Sequence, residues 1–164
     1  MKLSTRSRYG TRLMLDMAVH YRDGPIRLGA IAKRQGIPLK YLEQIIIPLK
    51  RAEYVRSVRG PKGGHLLAKP PGEITIGEIV TLLEGGLKLT NCTNSPETCT
   101  RSECCVTRFL WKEATDAIHR RLNRVTLADL VERAGSQTDE FGCPAEQEIE
   151  EQLPRRGRKR GSDK

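Results

Sequence analysis

Residues 28–67 read LGAIAKRQGIPLKYLEQIIIPLKRAEYVRSVRGPKGGHLL, and this stretch decides the fold. Its apolar spacing predicts a short helix that ends at Gly36 and a second helix over about 39–50. Two strands are predicted next, over 54–58 and 65–68, with a Gly-rich turn joining them into a hairpin. Two short helices with a tight turn form a helix-turn-helix, and a basic hairpin after them completes a winged helix.

Pro48 conflicts with the second of these helices. Proline has no backbone N–H to donate to the Gln44 carbonyl, and inside a helix it costs about 3 kcal/mol. We therefore expect a kink or a helix end near Ile47, while the first turns of the helix stay intact.

Four more helices are predicted outside this motif. A helix over about 6–21 precedes it, with Ser4 or Thr5 as the N-cap. A helix over about 74–84 follows it, then a long helix over about 105–124 and a short final helix. The predicted fold is mainly α, with a small β-hairpin wing and a long dimerisation helix.

The long predicted helix over about 105–124 indicates a dimer. At 1.5 Å per residue it would be roughly 30 Å long, and its apolar stripe exceeds what a small winged helix covers. We interpret the spare stripe as the seam of a homodimer. The alternative is that the stripe packs wholly on its own domain.

The charge of the chain is concentrated in its first part. The 164 residues include 29 Lys and Arg and 20 Asp and Glu, which gives +9. Residues 1–69 hold 15 basic and 4 acidic side chains, or +11, and residues 70–164 hold 14 and 16, or −2. A folded basic segment of this size is typical of nucleic-acid binding, and the alternative is a merely basic surface.

The sequence divides into four predicted regions. Residues 1–85 form a winged-helix DNA-binding domain, and residues 86–105 form a cysteine-bearing cluster loop. Residues 106–134 hold the dimerisation helix and a short terminal helix, and residues 135–164 form a disordered charged tail. Neither a transmembrane run of apolar residues nor a secretory signal is visible, so we expect a cytoplasmic protein with no membrane partner.

The exposed early positions of the second motif helix are expected to enter the major groove of DNA. Lys40 suits a phosphate or a guanine, Gln44 can form two hydrogen bonds with adenine, and Glu43 can accept from the cytosine amino group. Tyr41 is assigned to phosphate contact or simple packing.

The tip of the hairpin is expected to enter the minor groove. A guanidinium at Arg59 would sense the width of that groove, and Gly60 would let the backbone come close.

Five cysteines make disulfide pairing the less favoured use of the thiols in a reducing compartment. Cys92, Cys99 and Cys105 lie within 14 residues, close enough to converge on one metal centre, and Cys104 is an alternative to Cys105. From the residues alone, an iron–sulfur cluster and zinc fit equally well, with uncoordinated thiols behind them.

Several stretches resemble the Rrf2 family of bacterial winged-helix regulators, and within it the iron–sulfur cluster regulators. The resemblance covers about residues 1–134, and its specific pieces are Tyr-Leu-Glu-Gln at 41–44 and Val-Arg-Gly-Pro at 58–61. It implies a homodimer that binds double-stranded DNA at an imperfect palindrome. It also implies an iron–sulfur cluster, with 2Fe–2S favoured over 4Fe–4S, on the three loop cysteines.

The chain departs from that family at the fourth ligand. The family has a histidine three residues after the third cysteine, whereas this chain has Arg108, which cannot ligate iron. Some relatives use a ligand from the first helix of the partner subunit, where this chain has Arg8 and Arg12. Cys104 is one remaining candidate for a fourth ligand.

Other functional classes are less well supported. The chain has no Ser/His/Asp order and no phosphate loop, so we expect neither an enzyme nor a small-molecule substrate. Its seven aromatic residues provide no stacking platform for RNA. The alternative to a cluster-tuned regulator is a cluster-free regulator of the same fold that responds to thiol oxidation, zinc or a protein partner.

Overall fold

The protein is described by a computed structural model that covers residues 3–93, 95, 97 and 99–137. Over these residues the fold is mainly helical, with one two-stranded hairpin, as predicted. Two single turns of 3₁₀ helix, at Pro71–Glu73 and Asn91–Thr93, are also present. The helices and strands are α1 Thr5–Val19, α2 Leu28–Gln35, α3 Leu39–Arg51, β1 Val55–Val58, β2 Gly64–Leu67, α4 Ile76–Glu84, α5 Val106–Asn123 and α6 Leu127–Gln137.

α1 lies at the centre of the fold and packs against α2, α3, α4 and α6. Its N-cap is Ser4, whose hydroxyl accepts a hydrogen bond from the Ser7 backbone N–H at 3.1 Å. The side chains of Leu13, Met14 and Met17 are at most 1% exposed. The apolar spacing of the predicted first helix therefore corresponds to a face that is buried in the core.

The turn of the helix-turn-helix is made by Gly36, which ends α2 in the left-handed conformation (φ +59°). After this turn α3 runs without interruption past Pro48 to Arg51, so the predicted helix end near Ile47 is wrong. Leu49 is fully buried one residue beyond the proline. Burial of this apolar face holds the last turn in helical form although one backbone hydrogen bond is missing.

The wing is a hairpin in which Val55 pairs with Leu67 and Val58 pairs with Gly64. A third segment joins it, because Ile26 forms an antiparallel bridge to His65 with N···O distances of 2.9 and 2.8 Å. Sequence periodicity gives no signal for a strand of one residue, so this attachment of the wing was not predicted.

The last helix returns to the winged helix. Leu127 is fully buried, and its N–H donates to the Ile74 carbonyl at 2.9 Å. The Ile76 N–H donates to the Val125 carbonyl at 2.8 Å, and α6 packs against α1. α6 is therefore part of the domain core. It continues through Gln137 into the first residues of the predicted tail, while residues 138–164 lie outside the described part of the chain.

α5 is covered on one side only. Ile118 and Leu122 pack against the core, and Thr115 is buried. Near its N-terminal end the same helix exposes a patch that we call the α5 apolar face. It consists of Val106 (80% exposed), Phe109 (59%), Leu110 (55%) and Trp111 (41%).

A buried carboxylate joins α1 to α2. Asp16 is 4% exposed and accepts hydrogen bonds from Arg34 Nε at 3.0 Å and from a terminal Arg34 nitrogen at 2.6 Å. Gln35 Nε2 donates to the same carboxylate at 3.0 Å. These three donors replace the water that the carboxylate loses on burial.

Asp16→Ala is expected to lower the free energy of unfolding by about 2–4 kcal/mol, because Arg34 and Gln35 lose their shared acceptor. Urea denaturation followed by circular dichroism measures this loss. Asp23→Ala is the matched control, since the Asp23 side chain is 67% exposed and its removal is expected to cost less than about 0.5 kcal/mol. Equal losses in the two variants would contradict the assignment.

Candidate nucleic-acid interface and cysteine loop

α3 divides into a buried face and an exposed face. Leu42, Ile45, Ile46 and Leu49 point into the core and are at most 4% exposed. The opposite face, at helical spacings of three and four residues, carries the exposed side chains that the sequence assigned to DNA, namely Lys40, Glu43 and Gln44.

Tyr41 has a different environment from its neighbours on α3. It is half-buried, and its ring meets the Tyr9 ring edge to face, with centroids 5.7 Å apart. The Arg12 guanidinium lies 5.8 Å from the centroid of the Tyr9 ring, and its Nε donates to Gln35 Oε1 at 3.1 Å. Tyr41 therefore packs on α1 and leaves part of its surface open at the start of α3.

The wing is anchored at two points. The Ile26–His65 bridge fixes the base of β2, and a terminal nitrogen of Arg27 donates to the Pro61 carbonyl in the turn. Gly64 is required at the first point, because a Cβ atom there would lie 2.6 Å from the Ile26 carbonyl oxygen. This anchoring sets the direction of the tip.

The tip of the wing is exposed. Arg59 precedes Gly60, whose φ of +112° makes the turn and is rarely adopted by other residues. Arg59 and Gly60 therefore lie next to each other on the exposed turn that joins β1 to β2.

His65 belongs to the wing framework. Its Nδ1 lies 3.2 Å from the Ser57 hydroxyl across the strand pair. Burial lowers the pKa of His65, and the nearby Lys50 ammonium lowers it further. The ring is therefore neutral at pH 7.

The cysteines lie on the connection between α4 and α5. Cys92 is in the 3₁₀ turn Asn91–Thr93, and Cys105 is the N-cap of α5. Cys92, Cys99 and Cys105 are half-buried, whereas Cys104 is exposed. Cys143, in the charged tail, lies outside the described residues.

Hydrogen bonds modify the Cys105 thiol. Its sulfur lies 3.2 Å from the Thr107 hydroxyl, and this contact, with help from backbone N–H groups at the start of α5, lowers the pKa of Cys105. A lower pKa favours the thiolate, which is the form that binds iron or zinc. Within the described ranges no three cysteine, histidine, aspartate or glutamate side chains are gathered closely enough to hold a metal ion. The cysteine thiols therefore lie on one loop, but among the described residues they do not form a metal-binding group.

In the sequence, Arg108 is notable only because it stands where the family has a histidine ligand and cannot itself ligate iron. It is half-buried, and its Nε donates to the Cys92 carbonyl at 2.9 Å. A terminal nitrogen donates to the Ser102 carbonyl at 3.2 Å. Both contacts are made to backbone carbonyls, which every residue has, so no pattern in the sequence indicates this role.

The chain is similar in sequence and in fold to known proteins. Residues 3–133 match the Rrf2 family, described as an iron-dependent transcriptional regulator. The chain is 45% identical over 134 residues to protein rrf2 of Nitratidesulfovibrio vulgaris, with 82% of this chain and 89% of that protein covered.

Two solved structures are also similar. IscR of T. potens superposes with a TM-score of 0.68 at 39% identity, covering 82% of this chain and 88% of that one. CymR, the global cysteine regulator of B. subtilis, superposes with a TM-score of 0.68 at 34% identity, covering 81% and 98%.

The fold and the wing define a winged-helix transcriptional regulator. The chain belongs to the Rrf2 family, whose members similar to it are transcriptional regulators and not enzymes. None of the described helices is long and apolar enough to cross a membrane.

Substitutions at the wing and on α3 are expected to change DNA binding in different ways. Gln44→Ala should reduce discrimination at one A·T base pair by about 1–3 kcal/mol, because it would remove the base-edge contact that the sequence assigns to Gln44. Arg59→Ala should weaken DNA binding by an amount that depends on the width of the minor groove of the duplex. Selection from a randomised duplex library, followed by affinity measurements, reads both effects. Lys88→Ala, an exposed cation outside the winged helix, is the control and should bind as the unmodified chain does.

Proposed function

We propose that the chain is a homodimeric DNA-binding regulator whose affinity for its operator is tuned by an iron–sulfur cluster on the loop before α5. The observation that carries this proposal is the meeting of two features at one end of α5. Cys105 caps the helix, and the α5 apolar face begins in the next turn. A ligand bound by the loop would therefore act directly beside the proposed dimer seam.

DNA recognition is assigned to α3 and the wing. Lys40, Glu43 and Gln44 have the exposure and spacing needed to reach base edges or phosphates in a major groove. Tyr41 contributes its open edge, as in the phosphate contact that the sequence suggests. Arg59 and Gly60 on the exposed tip are assigned to the minor groove. A bacterial operator lies in the cytoplasm, so the proposal places the chain there.

The homodimer is supported by the α5 apolar face. Phe109 and Leu110 are more than half exposed on a helix whose other side is packed on the core. Neighbouring large apolar side chains at this exposure are typical of a protein–protein contact. A second copy of the chain would cover them with the same face, related by two-fold symmetry.

The proposed ligands are Cys92, Cys99 and Cys105. Thiolates are the usual protein donors to iron–sulfur clusters, and the three thiols occupy one short loop. Cys104 is exposed beside Cys105 and is the candidate fourth ligand, because Arg108 has no lone pair to offer. A 2Fe–2S cluster is favoured over a 4Fe–4S cluster, and when bound it would supply a group sensitive to iron supply and redox state.

The regulatory step is a shift between two arrangements of the dimer. Gathering the three cysteines requires the loop to move, because the thiols are not assembled among the described residues. Since the loop ends in the N-cap of α5, this movement changes the angle of that helix and hence the spacing of the two α3 helices. DNA affinity changes to the extent that the ligand binds one arrangement better than the other.

A cluster-free regulator of the same family is the second candidate. It is favoured by the similarity to CymR, named a cysteine regulator, and by the dispersed thiols of the described loop. In that case thiol oxidation, zinc or a protein partner would act on the same loop.

Replacement of Cys92, Cys99 and Cys105 together by serine is expected to abolish visible absorption and bound iron and sulfide in protein purified without oxygen. The reason is that serine is a poor ligand for iron–sulfur clusters. Absorption spectroscopy with iron, zinc and sulfide analysis measures the outcome.

Cys143→Ser is the control for this experiment and is expected to retain the colour, because Cys143 is not among the proposed ligands. Persistence of cluster absorption in the triple variant would overturn the ligand assignment. Zinc without sulfide in the unmodified protein would favour the second candidate.

Phe109→Glu combined with Leu110→Glu is expected to convert the dimer into a monomer, because two carboxylates would have to be buried in the seam. Sedimentation velocity at micromolar concentration measures the change. Val19→Glu is the matched control, since Val19 is a 51% exposed apolar residue on α1, and it should leave the dimer intact. A monomeric unmodified chain would refute the dimer.

A further inference from the structure

One side chain of α5, Arg108, fastens the cysteine loop to the helix. Its Nε donates to the Cys92 carbonyl at 2.9 Å and a terminal nitrogen donates to the Ser102 carbonyl at 3.2 Å. These two carbonyls are ten residues apart in the sequence. One guanidinium in the first turn of α5 therefore holds both ends of the loop segment that carries Cys92 and Cys99.

Two hydrogen bonds between described residues of this segment are local. The Ser102 N–H donates to the Cys99 carbonyl at 3.0 Å, and the Cys104 N–H donates to the Arg101 carbonyl at 3.2 Å. These bonds form turns inside the loop but do not attach it to the helix. Where the chain enters the connection, the Leu89 N–H donates to the Thr115 hydroxyl at 3.4 Å, which lies before the first cysteine.

We propose that Arg108 is a positioning residue that holds the cysteine loop on α5. The loop then presents Cys92, Cys99 and Cys105 in a defined arrangement. The role of these cysteines as ligands rests on the proposed function, whereas the fastening by Arg108 does not.

The chemistry of arginine suits this role. Its guanidinium is planar and always charged, and its donors point in fixed directions that match two separate carbonyl oxygens. A lysine ammonium in the same place would be a point charge on a flexible stem, so it would hold the two carbonyls in a less fixed geometry. The next residues on α5 are Phe109 and Leu110, so a displacement of Cys92 is passed to the α5 apolar face through the Arg108 side chain.

Hydrogen exchange of the metal-free protein tests the fastening. Arg108→Gln is expected to speed exchange of the Ser102 and Cys104 amides at least about tenfold, because it removes two charge-assisted hydrogen bonds. Arg108→Lys should speed exchange as well, though by less. Arg120→Gln replaces an exposed arginine in the last turn of α5 and should leave the loop unchanged.

Amides of α1 and α3 report whether each variant keeps its fold, and they should exchange as in the unmodified chain. Unchanged loop exchange in Arg108→Gln, with the rest of the protein also unchanged, would overturn the proposal. So would faster exchange of the same size in Arg120→Gln.

A second measurement separates this inference from the proposed function. After anaerobic reconstitution with iron and sulfide, Arg108→Gln should lose its visible absorption in air at least about fivefold faster than the unmodified chain. If the unmodified chain takes up no cluster, the ligand role of the cysteines fails, and the exchange experiment alone still decides whether Arg108 fastens the loop. Equal loss rates in the two proteins would show that Arg108 does not position the ligands.

Discussion

The buried carboxylate of Asp16 is the contact on which the DNA-binding half depends. It binds Arg34 and Gln35 at the end of α2 and so fixes α2 against the central helix α1. Gln35 in turn accepts from Arg12, whose guanidinium lies over Tyr9. Since Tyr9 supports Tyr41 at the start of α3, one polar network runs from the core to the helix assigned to the major groove.

The second half of the chain is held together by a different set of contacts. α6 returns to the core through Leu127 and two backbone hydrogen bonds to the segment before α4. α5 spans the distance between the cysteine loop and that return, and only one side of it is covered. An uncovered apolar face costs solvation free energy in an isolated chain, and a partner surface removes that cost. This is the physical reason for associating the proposed dimer with α5.

The loop and the proposed dimer seam share the first turn of α5. Cys105 caps the helix there, Val106 begins the α5 apolar face, and Arg108 holds the loop backbone. A change in the loop can therefore reach the seam without a long pathway through the core.

Much of the architecture was predictable because it depends on local periodicity. The exposed positions of Lys40, Glu43 and Gln44 follow from the 3.6-residue repeat of α3, and the hairpin follows from two short strands around glycines. Of the kink or helix end predicted near Ile47, the helix end is wrong, because α3 continues to Arg51. A local rule about proline does not include the burial of Leu49, which acts from outside the helix.

The sequence by itself determined the winged-helix class, the location of positive charge and the presence of three thiols on one loop. Only the tertiary structure decided that Ile26 anchors the wing, that Tyr41 packs on Tyr9 and that Arg108 holds the backbone of the cysteine loop. The reason is physical. Periodicity and charge are properties of neighbouring residues, whereas these contacts join segments distant in sequence, two of them through backbone groups that every residue possesses.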